Sequence, residues 1–511
     1  MLNITTFLDI RAQEPDKISL IYPSGNAQYS FSQLLKSVCK IGNGLVHLGV
    51  MPGDRVVIFL DSSPEYLISY FAIWRIGAVV VPTNIVYQEE ELLFALKDAE
   101  ATTLICDASC ETIIKDIKEK LPLLSVIISV GGVVQKATAT WDDLLTEDDW
   151  LLPYPCNLNS LCQIQYTSGT TGQPKGAMLT HGGWMAALEA EREALDIVSD
   201  DIYLGIYPMG HVGLSWAVAA LRAGATYVIM ERFELDRYIR LISDYSVTQL
   251  ASMPPVIHAL VDTKPGTEKV FGTVRRIISG GGPMHSPTWR RFQERFKIPI
   301  INAYGLSETV VLGCGTVIRP EHYQTADDFN SVGTPIGYAE VQVVDEGDPS
   351  IVLPPMEPGE IALRGPGVAL GYWNRPTDTS SVFLSDGWFL TGDIGYINTH
   401  GMLVITDRKK DMIIMSGWKI YPTEVENVLI QHPKVAEIAI FGCPDDKKGE
   451  IPSAAVVPVP RESLTHEELV AYAKDRLASY KIPRNTYIVD ELPRMNGWKL
   501  MRRKLRDTFC P

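Results

Sequence analysis

Short β-branched runs alternate with longer helical patterns along most of this chain, and that rhythm restricts the fold more than any other feature. RVVIFL at 55–60 is followed by the helix-like SSPEYLISYFAIWRIG and then by AVVVP; ATTLIC at 101–106 precedes the charged ETIIKDIKEKL, and SVIISV follows. The pattern returns in TYVIM at 226–230, ELDRYIRLISDY and VTQLASMP, and RRIISGGGP at 275–283 reads as a strand running into a glycine turn. Adjacent parallel strands need a crossover, usually a helix, so the alternation predicts βαβ units and a largely parallel, α/β architecture.

After about residue 330 the style changes. VGTPIGYAEVQVVD, GEIALRGPGVALGYW and GMLVITD are short strands separated by Gly and Pro, as expected of a small β subdomain. A charged stretch, DRKKDMII, follows, then a strand, the helix YPTEVENVLIQHP, the strands AEIAIFG and SAAVVPV, the helix THEELVAYAKDRL and a basic tail. This predicts a large N-terminal domain over 1–406, a hinge at 407–411 and a small mobile α+β domain over 412–511.

Composition excludes several classes. With 46% hydrophobic and 21% charged residues, the 511-residue chain is an ordinary globular one of several domains. A formal charge of −15 argues against a broad nucleic-acid surface, though not against a local basic pocket. No apolar run approaches the ~20 residues of a membrane span. The nearest, FAIWRIGAVVVP, is interrupted by Arg75, and Asp9 and Arg11 come too early for a signal-peptide core. A cytoplasmic protein is expected. The eight cysteines form no CxxC pair and are expected to be buried reduced thiols, with no structural metal site.

One loop carries chemistry. YTSGTTGQPKG at 166–176 combines glycines, hydroxyls and a terminal lysine. Backbone N–H groups freed by glycine, beside Ser and Thr hydroxyls, cradle phosphate oxygens, and the lysine adds a point charge. LCQIQYT before the loop reads as a strand and AMLTHGGWMAALEAERE after it as a helix. A Walker A loop would need Ser or Thr after the lysine; here Lys175 is followed by Gly176.

The loop resembles the phosphate loop of the AMP-forming acyl-CoA synthetases, the adenylate-forming superfamily that includes luciferases and peptide-synthetase adenylation domains. Further motifs stand in the family's order across nearly the whole chain: PMGHVGL (208–214), SGGGP (279–283), NAYGLSET (302–309), GYWNRP (371–376), DGWFLTGD (386–393), DRKKDMIIMSGWKIYPTEVE (407–426) and LPRMNGWKLMRRKLR (492–506). The resemblance implies two half-reactions. A carboxylate attacks the α-phosphorus of ATP, giving an acyl-adenylate and pyrophosphate; a thiol then attacks the acyl carbonyl and AMP leaves. The first nucleophile is already ionised, so positioning and charge neutralisation should carry catalysis.

Residue roles follow by the same resemblance. Thr167, Ser168, Gly169, Thr170, Thr171, Gly172 and Lys175 would hold the β- and γ-phosphates, and Glu308 would bind Mg²⁺. Gly281, Gly282, Asn302, Ala303, Tyr304, Gly305 and Ser307 would form the adenine and α-phosphate walls, with Tyr304 stacking on the base; Asp393 and Arg408 would take the ribose hydroxyls. His211 stands at the mouth of an acyl pocket formed with Val212, Leu214 and Ala303, and Lys410 falls on the hinge. Lys499 matches the lysine that spans the substrate carboxylate and α-phosphate during adenylation, although Trp498 replaces the glycine usual before it. Its acetylation would remove that charge. Ser416, Gly417 and Lys419 would line the coenzyme A tunnel.

YPMGHVGLSW contains no Asp or Glu to hold a substrate ammonium, which disfavours amino acids, and no extra cation suggests a dicarboxylate. The expected activity is CoA ligation of an apolar monocarboxylate: alicyclic, aromatic or medium-chain. Small molecules are the expected partners, with a homodimer left open. An adenylating enzyme loading a carrier-protein thiol, and a catalytically silent acyl-nucleotide-binding protein, remain alternatives.

Overall fold

The computed structural model describes residues 3–115, 117–167, 174–282, 284, 286–310, 313–318, 331–495 and 499–510, and not the side chains of 118, 286, 315–318, 495 and 499. The expected βαβ rhythm is present. Arg55–Phe59, Val79–Pro82, Thr103–Asp107 and Val126–Val130 lie parallel in a seven-stranded sheet. A thirteen-stranded sheet holds Ile202–Gly205, Thr226–Ile229, Gln249–Ser252, Arg276–Gly280 and Ile300–Tyr304, again parallel. These strands are buried along most of their length, as expected of parallel strands covered on both faces.

The strands between residues 331 and 408 are antiparallel. They are hydrogen-bonded into the larger sheet through Cys314–Ile318 and Ser331–Pro335, and keep a small core of their own around Val343, Ile361, Leu363 and Leu403. The C-terminal α+β domain is built on the hairpin Val435–Asp445 and Gly449–Pro458, flanked by Ile413–Met415 and by Asn485–Ile488. Its helix His466–Lys474 starts at a capping box formed by Thr465 and Glu468.

The charges that argued against membrane and leader readings meet each other. Arg75 is buried at the end of the helix Pro64–Arg75, donates to both Asp9 oxygens at 2.7 and 3.0 Å, and reaches the Leu151 carbonyl at 2.8 Å. Among the described residues no helix is long and apolar enough to cross a membrane.

Two expectations need correction. The segment after the phosphate loop is a strand before it is a helix. Lys175–Thr180 pairs antiparallel with Leu161–Thr167, and the helix His181–Leu195 begins only after Thr180, whose hydroxyl accepts from the Gly183 amide. Gly176 permits that hairpin, since a Cβ there would lie 2.5 Å from the Ile164 side chain. Nor are all eight cysteines thiols: Cys443 and Cys510 form a disulfide, with Cα atoms 5.4 Å apart, while the other six are free. The helix Arg502–Phe509 packs along Val435–Asp445 and brings together two cysteines 67 residues apart, a pairing no local spacing reveals.

Candidate active site

The candidate residues lie at strand ends and the turns that follow them. Thr167 and Lys175 face each other across the mouth of the phosphate hairpin; Ser168, Gly169, Thr170, Thr171 and Gly172 lie outside the described residues. Lys175 Nζ reaches Asp378 Oδ1 at 2.6 Å and stands 5.3 Å from the centre of the Tyr372 ring. The segment carrying Tyr372 is stitched to the hairpin. The Trp373 amide donates to the Gly176 carbonyl at 2.8 Å and the Met178 amide to Gly371 at 2.9 Å. Asp98 fastens the outside, accepting from Tyr166 Oη at 2.8 Å and from Arg375 at 3.1 Å.

The positions expected to wall a nucleotide are set by strand register. Gly280 lies opposite Ala303, and Gly281 and Gly282 beyond it are exposed. Asn302 is buried and donates to the Ser331 carbonyl at 3.1 Å, holding the parallel strand to its antiparallel extension. Tyr304 is buried, and its hydroxyl donates to Asp393 Oδ2 at 2.7 Å. Arg408, directly opposite Asp393 on the neighbouring strand, meets its other oxygen at 3.1 Å. Gly305 and Ser307 are half-buried at the start of the following turn.

Glu308 sits in the turn Ser307–Thr309 and is 8% exposed. Tyr372 Oη donates to its Oε1 at 2.9 Å. Burial pushes its pKa up, partly opposed by its own backbone amide, by Tyr372 and by Arg408. Val310, next along, has φ +47°, a left-handed conformation that β-branched residues rarely adopt; such strain concentrates at functional turns. Among the described residues no three His, Cys, Asp or Glu side chains gather as a metal cage. Mg²⁺ does not require one: it is commonly held by one or two carboxylates with phosphate oxygens and water. Glu308, a hard oxygen donor in a site that disfavours an uncompensated charge, fits that role.

The segment expected to line an acyl pocket is a short 3₁₀ turn, Val212–Leu214, entered from half-buried His211. Val212, Leu214 and Trp216 are packed into the main core. Tyr207, His211, Gly213 and Ala303 keep partly open surfaces. Gln165 secures the loop by donating to the Gly210 carbonyl at 3.1 Å.

Past Arg408 the chain turns at Lys409–Asp411, with Lys410 exposed. Ser416 and Gly417 form a two-residue hairpin, φ +50° and +86°, between Ile413–Met415 and Trp418–Ile420, and both are exposed. Lys419 is paired with Glu346 at 2.6 Å rather than free. Lys499 opens the short strand Lys499–Leu500, but its side chain and all of Trp498 lie outside the described residues. Arg502, just beyond, binds both oxygens of Glu426 at 2.7 Å and lies 3.6 Å from Asp411. Sequence reasoning missed Tyr372, Asp378, Asp98 and Arg502's partners; only the GYWNRP motif marked the neighbourhood.

The AMP-binding enzyme family matches residues 8–373, and the AMP-binding enzyme C-terminal domain matches 424–497. The chain is 32% identical to a 2-succinylbenzoate–CoA ligase of Bacillus cereus, over 93% of each chain. It is also 32% identical to a feruloyl-CoA synthase of an Amycolatopsis species, over 95% of each. ATP-bound MatB from Rhodopseudomonas palustris superposes with a TM-score of 0.90 at 28% identity, over 99% of both chains. The o-succinylbenzoate CoA synthetase of Bacillus subtilis, bound to its acyl-adenylate, gives 0.85 at 30% identity, over 99% of this chain and 98% of that one.

Proposed function

Because the chain belongs to the AMP-binding enzyme family and is an AMP-forming acyl-CoA synthetase, we propose that it adenylates an apolar monocarboxylate and transfers the acyl group to coenzyme A. The observation carrying this reading is that Lys175 and Glu308 meet on Tyr372, while Asp393 is held by Tyr304 and by Arg408, whose charge also reaches Glu308. A cation, a buried carboxylate and a hydroxyl-accepting carboxylate are what triphosphate, metal and ribose require.

In this reading Lys175 and the hairpin from Thr167 grip the β- and γ-phosphates. Asp393, fixed by Tyr304 and Arg408, receives the ribose hydroxyls, and Gly281, Gly282 and Ala303 leave room for the adenine plane. Bound Mg²⁺, with Glu308 as its protein ligand, supplies neutralisation of phosphate charge. Lys499 brings its charge to the carboxylate and α-phosphate, where it favours the displacement only while that loop is docked. The domains would pivot at 407–411 about Lys410. After the pivot Ser416, Gly417 and Lys419, the last freed from Glu346, would line the pantetheine path, with His211 at the junction of acyl pocket and thiol. The reading takes the enzyme as cytoplasmic.

The substrate is proposed as an alicyclic, aromatic or medium-chain acid. The aromatic end is favoured by the ring-bearing acids in the names of the 2-succinylbenzoate and feruloyl relatives, the first of which carries a second carboxylate that this reading does not require; the absence of a carboxylate in YPMGHVGLSW speaks against an amino acid. The test is acid-dependent exchange of labelled pyrophosphate into ATP across a panel of such acids, followed by thioester formation with coenzyme A. No exchange with any of them would overturn the substrate class.

A further inference from the structure

The segment Tyr372–Asp378 touches both charged groups of the nucleotide cleft, yet comes from far along the chain. Tyr372 is 9% exposed and fixes Glu308 Oε1 at 2.9 Å. The face of the same ring lies under Lys175 Nζ at 5.3 Å, and Asp378 holds that ammonium at 2.6 Å. The segment's own position is set by backbone. The Tyr372 amide donates to Thr379 Oγ1 at 2.9 Å, the Trp373 amide to Gly176 at 2.8 Å, and the Ala369 amide to the Glu308 carbonyl at 2.7 Å. The two contacts differ in kind. The Tyr372–Glu308 bond is buried. The Lys175 and Asp378 side chains are 26% and 40% exposed, so an incoming polyanion can exchange with the aspartate.

We propose that Tyr372 and Asp378 are positioning residues of the nucleotide site: Tyr372 orients the Glu308 carboxylate, and Asp378 parks Lys175 over the Tyr372 ring until a phosphate oxygen displaces it. This rests on the assignment of Lys175 and Glu308 to ATP and Mg²⁺. The ring gives the lysine a second attraction that survives the exchange, since a cation is drawn to an aromatic face whichever anion shares it. Asp378 is therefore a competitor for the phosphate-binding charge, and Tyr372 acts through Glu308 on the metal.

The test is calorimetric binding of ATP to the full chain without acid, at several Mg²⁺ concentrations, for Asp378→Asn, Tyr372→Phe, Lys175→Ala, Glu308→Gln and the double variant Lys175→Ala/Asp378→Asn. Asp378→Asn should bind ATP about threefold tighter, the scale of a partly exposed ion pair, and should change nothing further in the Lys175→Ala background. Tyr372→Phe should leave metal-free ATP binding unchanged but reduce its enhancement by Mg²⁺ about tenfold, the scale of one hydrogen bond to a charged group. Weaker ATP binding by Asp378→Asn, or an intact Mg²⁺ enhancement in Tyr372→Phe, would overturn the inference. A fall in metal-free and metal-bound affinity alike in Tyr372→Phe would also overturn it, as the mark of general damage. If Lys175→Ala and Glu308→Gln themselves leave ATP binding unchanged, the parent assignment fails instead.

Discussion

Replacing Tyr304 by Phe removes one oxygen and keeps the ring, which separates two roles that a larger change would merge. The hydroxyl donates to Asp393 Oδ2 at 2.7 Å, and Asp393 is 4% exposed. Its other oxygen meets Arg408 at 3.1 Å, and that guanidinium is 41% exposed and shared with solvent. A hydrogen bond to a charged group contributes about 1.5–3 kcal/mol net, and a buried carboxylate left short of a donor costs on the same scale. Thermal unfolding should therefore fall by several degrees. If Asp393 accepts the ribose hydroxyls, the loosened carboxylate should weaken ATP binding about tenfold, equivalent to ~1.4 kcal/mol. Stacking on the retained ring should be unaffected. The decisive assay pairs ATP with 2′,3′-dideoxy-ATP in calorimetric titrations of both proteins. The dideoxy analogue lacks the groups Asp393 would hold, so Tyr304→Phe should cost it far less than it costs ATP. Equal losses for the two nucleotides would mean that the phenol does not act through a ribose-binding Asp393, and would refute the assignment.

The remaining predictions concern separate parts of the molecule. Lys499→Ala should abolish acid-dependent pyrophosphate exchange while sparing thioester formation from supplied acyl-adenylate; equal loss of both steps would remove the proposed division of labour. Thiol titration of the protein denatured without reductant should count six reactive cysteines, rising to eight after reduction; eight at the outset would refute the Cys443–Cys510 link. Buried His181 has its pKa pushed down to about 4 from 6.5 by desolvation, so it is neutral in the fold. As pH falls below 6.5 the unfolded chain takes up the proton first, and stability should drop by about 3 kcal/mol by pH 4. The difference between denaturation curves of the native chain and His181→Asn across that range reads the effect; a flat difference would contradict it.

What the sequence makes legible here depends on how far apart the interacting residues are. The parallel strands declare themselves because a strand such as RVVIF is apolar throughout after its first residue and bounded by helical patterns within a dozen residues. Thr465 and Glu468 fix a helix start three residues apart. The hairpin strand Lys175–Thr180 does not declare itself. KGAMLT has no alternation of its own and becomes a strand only because Leu161–Thr167 offers it an unpaired edge. The same division runs through the cleft. Lys175, Glu308, Asp393 and Arg408 stand in motifs proposed to face a ligand, and the resemblance of those motifs to the family's nominates them. The contacts that hold them are not marked in this way, even where the holder, as with Tyr304 and Tyr372, lies in a motif. Asp378 reaches Lys175 across 203 residues, Tyr372 reaches Glu308 across 64, and Tyr304 reaches Asp393 across 89. A residue that meets a ligand carries a signature set by the ligand's chemistry. A residue that steadies another is selected by where the fold returns the chain, and any donor of the right reach would serve. The positioning residues of this cleft are therefore found from its tertiary geometry, and substitutions there should alter how nucleotide and metal are held before they alter which acid is accepted.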